Sequence, residues 1–179
     1  MTCWKTVNVT KEIGQNRLLL LSILTAISAF IVLYMPFSIV FQHVQLIEPP
    51  FATVVISLFL LPIMHKLMHV APILFTNKTI HLKWKIKYKI IVSLKAQMES
   101  TLSKRTSILS IIAPTLIITL PLIILAYYIP AYHPILLFMA AIHIGMSLHD
   151  WLTLFSILRA PKKSVIEKSQ NEFDILVRD

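Results

Sequence analysis

The chain has 179 residues, 56% of them hydrophobic, with two glycines and a formal net charge of +9. A soluble domain of this length has too little interior to hide so much apolar surface, so the composition points to the bilayer as solvent. A single cysteine, Cys3, excludes an internal disulfide framework. The basic residues lie beside apolar spans with no nucleic-acid motif among them, so anionic lipid headgroups are the expected partner and nucleic acid is not.

Lys5, Lys11 and Arg17 precede the first apolar stretch, residues 18–41. That stretch is too long for the core of a signal peptide, and no small-residue cleavage site follows it, so it is expected to remain as a helix. A connection without lysine or arginine, closed by Pro49-Pro50, leads to a second span at 51–75. The loop at 76–106 then carries eight basic residues from Lys78 to Arg105. Within it Ile80, Leu82, Trp84, Ile86, Tyr88 and Ile90 alternate with His81, Lys83, Lys85, Lys87 and Lys89, the period of a strand with one apolar and one basic face. Ile91 to Lys95 either continues this strand or turns back as its hairpin partner. It would lie on the inner leaflet, or receive an extended substrate along its edge.

The third span, 107–129, contains Pro114 and Pro121, which are expected to kink it. The fourth runs over 134–158, after a second connection without basic residues, and five more follow from Arg159 to Arg178. In the tail Phe173, Ile175 and Val177 alternate and are candidates to pair with the loop strand. Basic segments stay on the cytoplasmic side. Of the 17 lysines and arginines, all but Lys66 fit one topology. The expected fold is therefore all-α and membrane-embedded: four transmembrane helices, both termini cytoplasmic, and a short basic β-strand or hairpin in cytoplasmic loop 76–106. Residues 1–179 form one integral membrane domain with a cytoplasmic tail at 159–179.

The second span contains His65-Lys66-Leu67-Met68-His69. Two histidines four residues apart share one helix face, the spacing by which zincin metalloproteases hold zinc, but those enzymes carry glutamate where this chain has Lys66. His65 lies about 21 Å into a hydrocarbon core about 30 Å thick, and Asp150, the one acidic residue in any span, lies about 24 Å into the fourth. An intramembrane carboxylate is costly and usually paired or functional. Two neutral histidines and a carboxylate make a catalytic-type zinc set with one open position. His143 lies about 10 Å from Asp150 along the helix axis, too far to share its ion, and His149 points elsewhere. The same His65, His69 and Asp150 can instead form a metal-free polar cluster that joins helices. Lys66 either snorkels to cytoplasmic headgroups or pairs with Asp150.

Beyond single motifs, the chain resembles the zincin peptidase family of small bacterial multi-spanning membrane proteins, whose core is similar to that of site-2 intramembrane metalloproteases. The resemblance covers Cys3-Trp4-Lys5, the motif at His65–His69, Ala113-Pro114, and the stretch from Ala141-Ile142-His143-Ile144-Gly145 to Asp150. It continues through Leu158-Arg159-Ala160-Pro161-Lys162 and Phe173-Asp174-Ile175-Leu176. It implies that His65 and His69 are the zinc-binding histidines and Asp150 the carboxylate ligand. Lys66 departs from the pattern, and so does Trp151, which follows Asp150 where site-2 proteases commonly have glycine. A zincin's glutamate takes a proton from the attacking water and passes it to the leaving amine, and a protonated lysine has no lone pair to do so. The expectation is a bacterial cytoplasmic-membrane protein with a degenerate site, weakly active or inactive as a peptidase, that binds membrane segments or partner proteins. The alternatives are an active zinc peptidase using another base, such as His143 or His149, and a non-catalytic structural or lipid-binding protein.

Overall fold

The computed structural model describes residues 2–74, 81–87, 91–97, 102–161, 164–168 and 173–177. A strand, β1 (Thr2–Val7), leads into a short helix α1 (Val9–Ile13), whose first turn is capped by the Asn8 side chain accepting from the Lys11 N–H at 3.0 Å. Gly14, at φ +88°, makes the corner into α2 (Gln15–Val40), a conformation that costs glycine little. Helix α3 spans Phe51–Leu74. Strands β2 (His81–Lys87) and β3 (Ile91–Gln97) follow, then β4 (Leu102–Ser103) and α4 (Lys104–Pro114). A π-helical segment, Thr115–Thr119, joins α4 to α5 (Leu120–Tyr128). After a 3₁₀ turn at Pro130–Tyr132 come α6 (His133–Met146), α7 (Leu148–Leu158), β5 (Ser164–Lys168) and β6 (Phe173–Val177).

Among the described residues, three helices are long and apolar enough to cross a membrane: Gln15–Val40, Phe51–Pro72 and Lys104–Tyr128. Their outer surfaces expose large apolar side chains such as Ile31, Val32, Phe59 and Leu116, as a lipid solvent allows. The fourth expected span differs from a continuous helix over 134–158. It is a pair, Pro130–Met146 and Leu148–Leu158, bent by 48°. The bend falls at Ser147, whose hydroxyl donates to the His143 carbonyl at 2.9 Å, two residues after Gly145. Glycine and back-bonded serine are recurrent causes of such breaks. In the third span the prolines produce a change of helical register: the Leu120 N–H bonds the Thr115 carbonyl, five residues back.

The expected hairpin of the middle loop is present in the mostly helical fold, and among the described residues a four-stranded sheet is added to it. Strands β2 and β3 are an antiparallel hairpin, in register from His81↔Gln97 to Lys87↔Ile91, so the chain turns back on the alternating strand. Ile80 and residues 88–90 of that predicted strand lie outside the described residues. The second sheet has four antiparallel strands in the order β1-β6-β5-β4. The tail strand thus pairs with β1 and β5, not with the loop strand. Ile175 and Ile166, both at most 2% exposed, are register partners, and Val7, Val9 and Ala160 pack with Ile175 in one apolar cluster. Because β1 and β6 are neighbours, the first and last strands lie together. Lys104 ties this end of the molecule to the helices by donating from Nζ to the carbonyls of Leu158 (2.9 Å) and Ala160, at the C-terminal end of α7.

Helix α6 is held against α2 at Gly145. A Cβ there would sit 2.6 Å from the Ser22 carbonyl oxygen and 2.7 Å from Ala26 Cβ. Between helices as apolar as these, such close backbone approach supplies much of the packing. Replacing Gly145 by alanine is therefore expected to force α2 and α6 apart and to cost about 1–3 kcal/mol. The check is reversible unfolding in mixed detergent, with Ala26→Gly in the same chain restoring part of the loss.

Candidate metal centre

Helix α3 presents His65 and His69 on one face, toward α4 and α6. The bend at Ser147 aims the first turn of α7, with Asp150, at the same point. His65 Nε2 lies 3.0 Å from Asp150 Oδ2, His69 Nε2 lies 3.2 Å from the same oxygen, and the two Nε2 atoms are 3.2 Å apart. The structure thus brings His65, His69 and Asp150 into one near-equilateral triangle of donor atoms. His65 is buried, and the side chains of His69 and Asp150 are 23% and 18% exposed, which leaves one side open.

Three features show that this donor set fits a cation. Nitrogen and oxygen ligands about 2.0–2.1 Å from a tetrahedral zinc ion lie about 3.3 Å from one another, close to the spacing here. Asp150 Oδ2 is buried without an aligned hydrogen-bond donor, although both histidines are near it. Finally, His69 Nδ1 is 2.8 Å from the Ser110 carbonyl oxygen, which only accepts, so Nδ1 carries the proton and Nε2 turns inward. Ser110 returns the bond by donating from Oγ to the His69 carbonyl, clamping α3 to α4 on both sides of the ring. The group His65, His69 and Asp150 can hold a metal ion.

His143 stands behind His65 and not in the triangle. It is fully buried, its Nε2 3.0 Å from His65 Nδ1 and its Nδ1 2.7 Å from Thr119 Oγ1. With both nitrogens occupied, it has none to offer a reacting water. His149, also on α7, is outside the group of three. Lys66 is exposed, and among the described residues no ion pair joins it to Asp150, whose carboxylate faces the two histidines instead. Ser110 and Thr119 were invisible in the sequence. Their roles arise from α4 facing α3 and from the π-helical register, and neither residue belongs to a recognisable motif. Pro114, ahead of the π-helical segment, was the one available hint.

The sequence profile of a family described as "Putative zincin peptidase" matches residues 58–165, which contain all three members of the group. No curated protein and no solved structure matches the chain.

Protein purified in mild detergent with zinc supplied is expected to hold close to one zinc per chain. His69→Ala and Asp150→Ala should each lose it while keeping the helical circular-dichroism spectrum. Elemental analysis of the three proteins makes the check, and zinc retained in either variant would remove that residue from the ligand set.

Proposed function

Because the chain belongs to the family described as "Putative zincin peptidase", we propose that it is a bacterial cytoplasmic-membrane protein of site-2-protease-like architecture. In this reading it holds zinc between His65, His69 and Asp150 and has little or no peptidase activity. The observation that carries the reading is the intact donor triangle beside a lysine at the position of the family's base. When bound, the ion supplies a Lewis acid at the open side of the site. His65 and His69 contribute neutral nitrogens, Asp150 compensates half of a divalent charge, and the Ser110 carbonyl fixes the His69 ring. No residue of the triangle is free to shuttle a proton. Asp150 is the one carboxylate near it among the described residues and is used in holding the ion. The exposed ammonium of Lys66 can donate but not accept.

What remains for such a site is binding. An apolar cavity of about 510 Å³ runs between α3, α5 and α6, lined by Leu61, Met64, Ile117, Leu125, Ile135 and Met139, and reaches the residue beside His65. Its apolar lining suits a few side chains of another protein's transmembrane segment, which would be held next to the metal and left uncut. The basic loop at 76–106 supplies lysines for anionic headgroups of the inner leaflet. With these lysines inside, both termini are cytoplasmic.

Restoring the base provides the test. With a reconstituted single-pass substrate, Lys66→Glu is expected to cleave roughly 10²–10⁴ times faster than the natural chain, the usual worth of a general base. Its activity should be lost to chelation and to His69→Ala. Cleavage by the natural chain at the rate of Lys66→Glu, also abolished by His69→Ala, would replace this reading with an active peptidase using another base.

A further inference from the structure

The buried chain of contacts running away from the triangle, from His65 through His143 to Thr119, has no part in the function proposed above. A histidine that offers Nε2 to an ion must carry its proton on Nδ1, and in an apolar interior that N–H needs an acceptor. Among the described residues, the atom placed to accept is His143 Nε2, at 3.0 Å. For that nitrogen to have a free lone pair, His143 must be protonated on Nδ1, and Thr119 Oγ1, at 2.7 Å, accepts the hydrogen bond from that N–H. We infer that His143, held by Thr119 of the π-helical segment, is the positioning residue that sets His65 in the tautomer required for metal binding. The inference rests on the metal reading above.

The same three residues can also run the other way. Thr119 O–H then donates to His143 Nδ1, His143 Nε2–H donates to His65 Nδ1, and His65 Nε2–H faces Asp150 Oδ2. Each histidine carries one proton in either arrangement, so the two differ in two tautomers and in no net proton. The outward arrangement fits the coordinates better, since Asp150 Oδ2 has no aligned donor. Thr119 is 5% exposed and sits at the end of the π-helical segment, the kind of local insertion often found beside functional sites. His143 touches no open face of the triangle, so its effect must pass through His65. Second-layer partners of metal-ligating histidines act in this manner, by fixing ring orientation and raising basicity.

The experiment uses the full chain in lipid nanodiscs, with Co²⁺ as the probe. Affinity is read by chelator competition and coordination by the visible spectrum. His143→Leu, which offers His65 no acceptor, is expected to bind Co²⁺ roughly 10–100-fold more weakly than the natural chain. His143→Gln, whose amide can accept from His65 and donate to Thr119, should stay within a few-fold and keep the natural spectrum. Imidazole ¹⁵N spectra of the natural chain supply a second readout that needs no variant to fold. Adding Zn²⁺ should place the proton on Nδ1 of both His65 and His143. Equal affinity of His143→Leu and the natural chain, or a His143 proton on Nε2 with zinc bound, overturns the inference alone. A natural chain that takes up no Co²⁺ overturns the metal reading and this inference with it.

Discussion

A carboxylate largely enclosed between apolar helices needs a positive partner, and Asp150 organises much of this molecule around that need. Here its Oδ2 converges with two imidazole nitrogens, one of which is turned inward by the Ser110 carbonyl behind its ring. Three electron-rich atoms within 3.2 Å of one another repel unless a cation or added protons lie between them. The features around the triangle serve to hold that arrangement: the bend at Ser147 aims Asp150, the Ser110 pair orients His69, and the His143–Thr119 pair backs His65.

Under the proposed reading, metal holding and proton transfer fall to different faces of one helix. The ligands come from the helix face shared by positions i and i+4 together with a carboxylate from another helix. The family's base would come from position i+1, about 100° round the helix from His65. A lysine at that one position leaves the face of His65 and His69 untouched. Lys66 is exposed and unpaired with Asp150, so its charge does not disturb the triangle by direct contact. The proposed reading, a site that keeps its donors beside a lysine, rests on this separation.

The four-stranded sheet gives the helices a common fastening. Strand β4 runs directly into α4, and β5 follows α7 after a short connection, while Lys104 closes the gap between them with bonds to the Leu158 and Ala160 carbonyls. The two helices that bring Ser110 and Asp150 to the triangle are thereby anchored at one end. On the opposite side, α6 is set against α2 by the absence of a side chain at Gly145. The site thus lies between a hydrogen-bonded fastening and a close helix crossing.

Much of this was legible in the residues alone. Hydropathy located the long apolar helices, because the length of a span is dictated by bilayer thickness. The alternation of Leu82, Trp84 and Ile86 with lysines marked a strand, because the side-chain period of two is local. The i, i+4 histidines and the lone acidic residue singled out His65, His69 and Asp150, because helix geometry and the cost of a buried charge need no partner to be read. The bend at Ser147 and the π-helical register before Leu120 were settled by tertiary packing, since a glycine, a serine or a proline permits such a break without specifying its form. The pairing of β6 with β1 and β5 joins strands from opposite ends of the chain, and short alternating strands carry no mark of their neighbours. The same holds for Ser110, Thr119 and the place of His143 behind His65: their roles consist of distances between helices, which no single stretch of sequence contains.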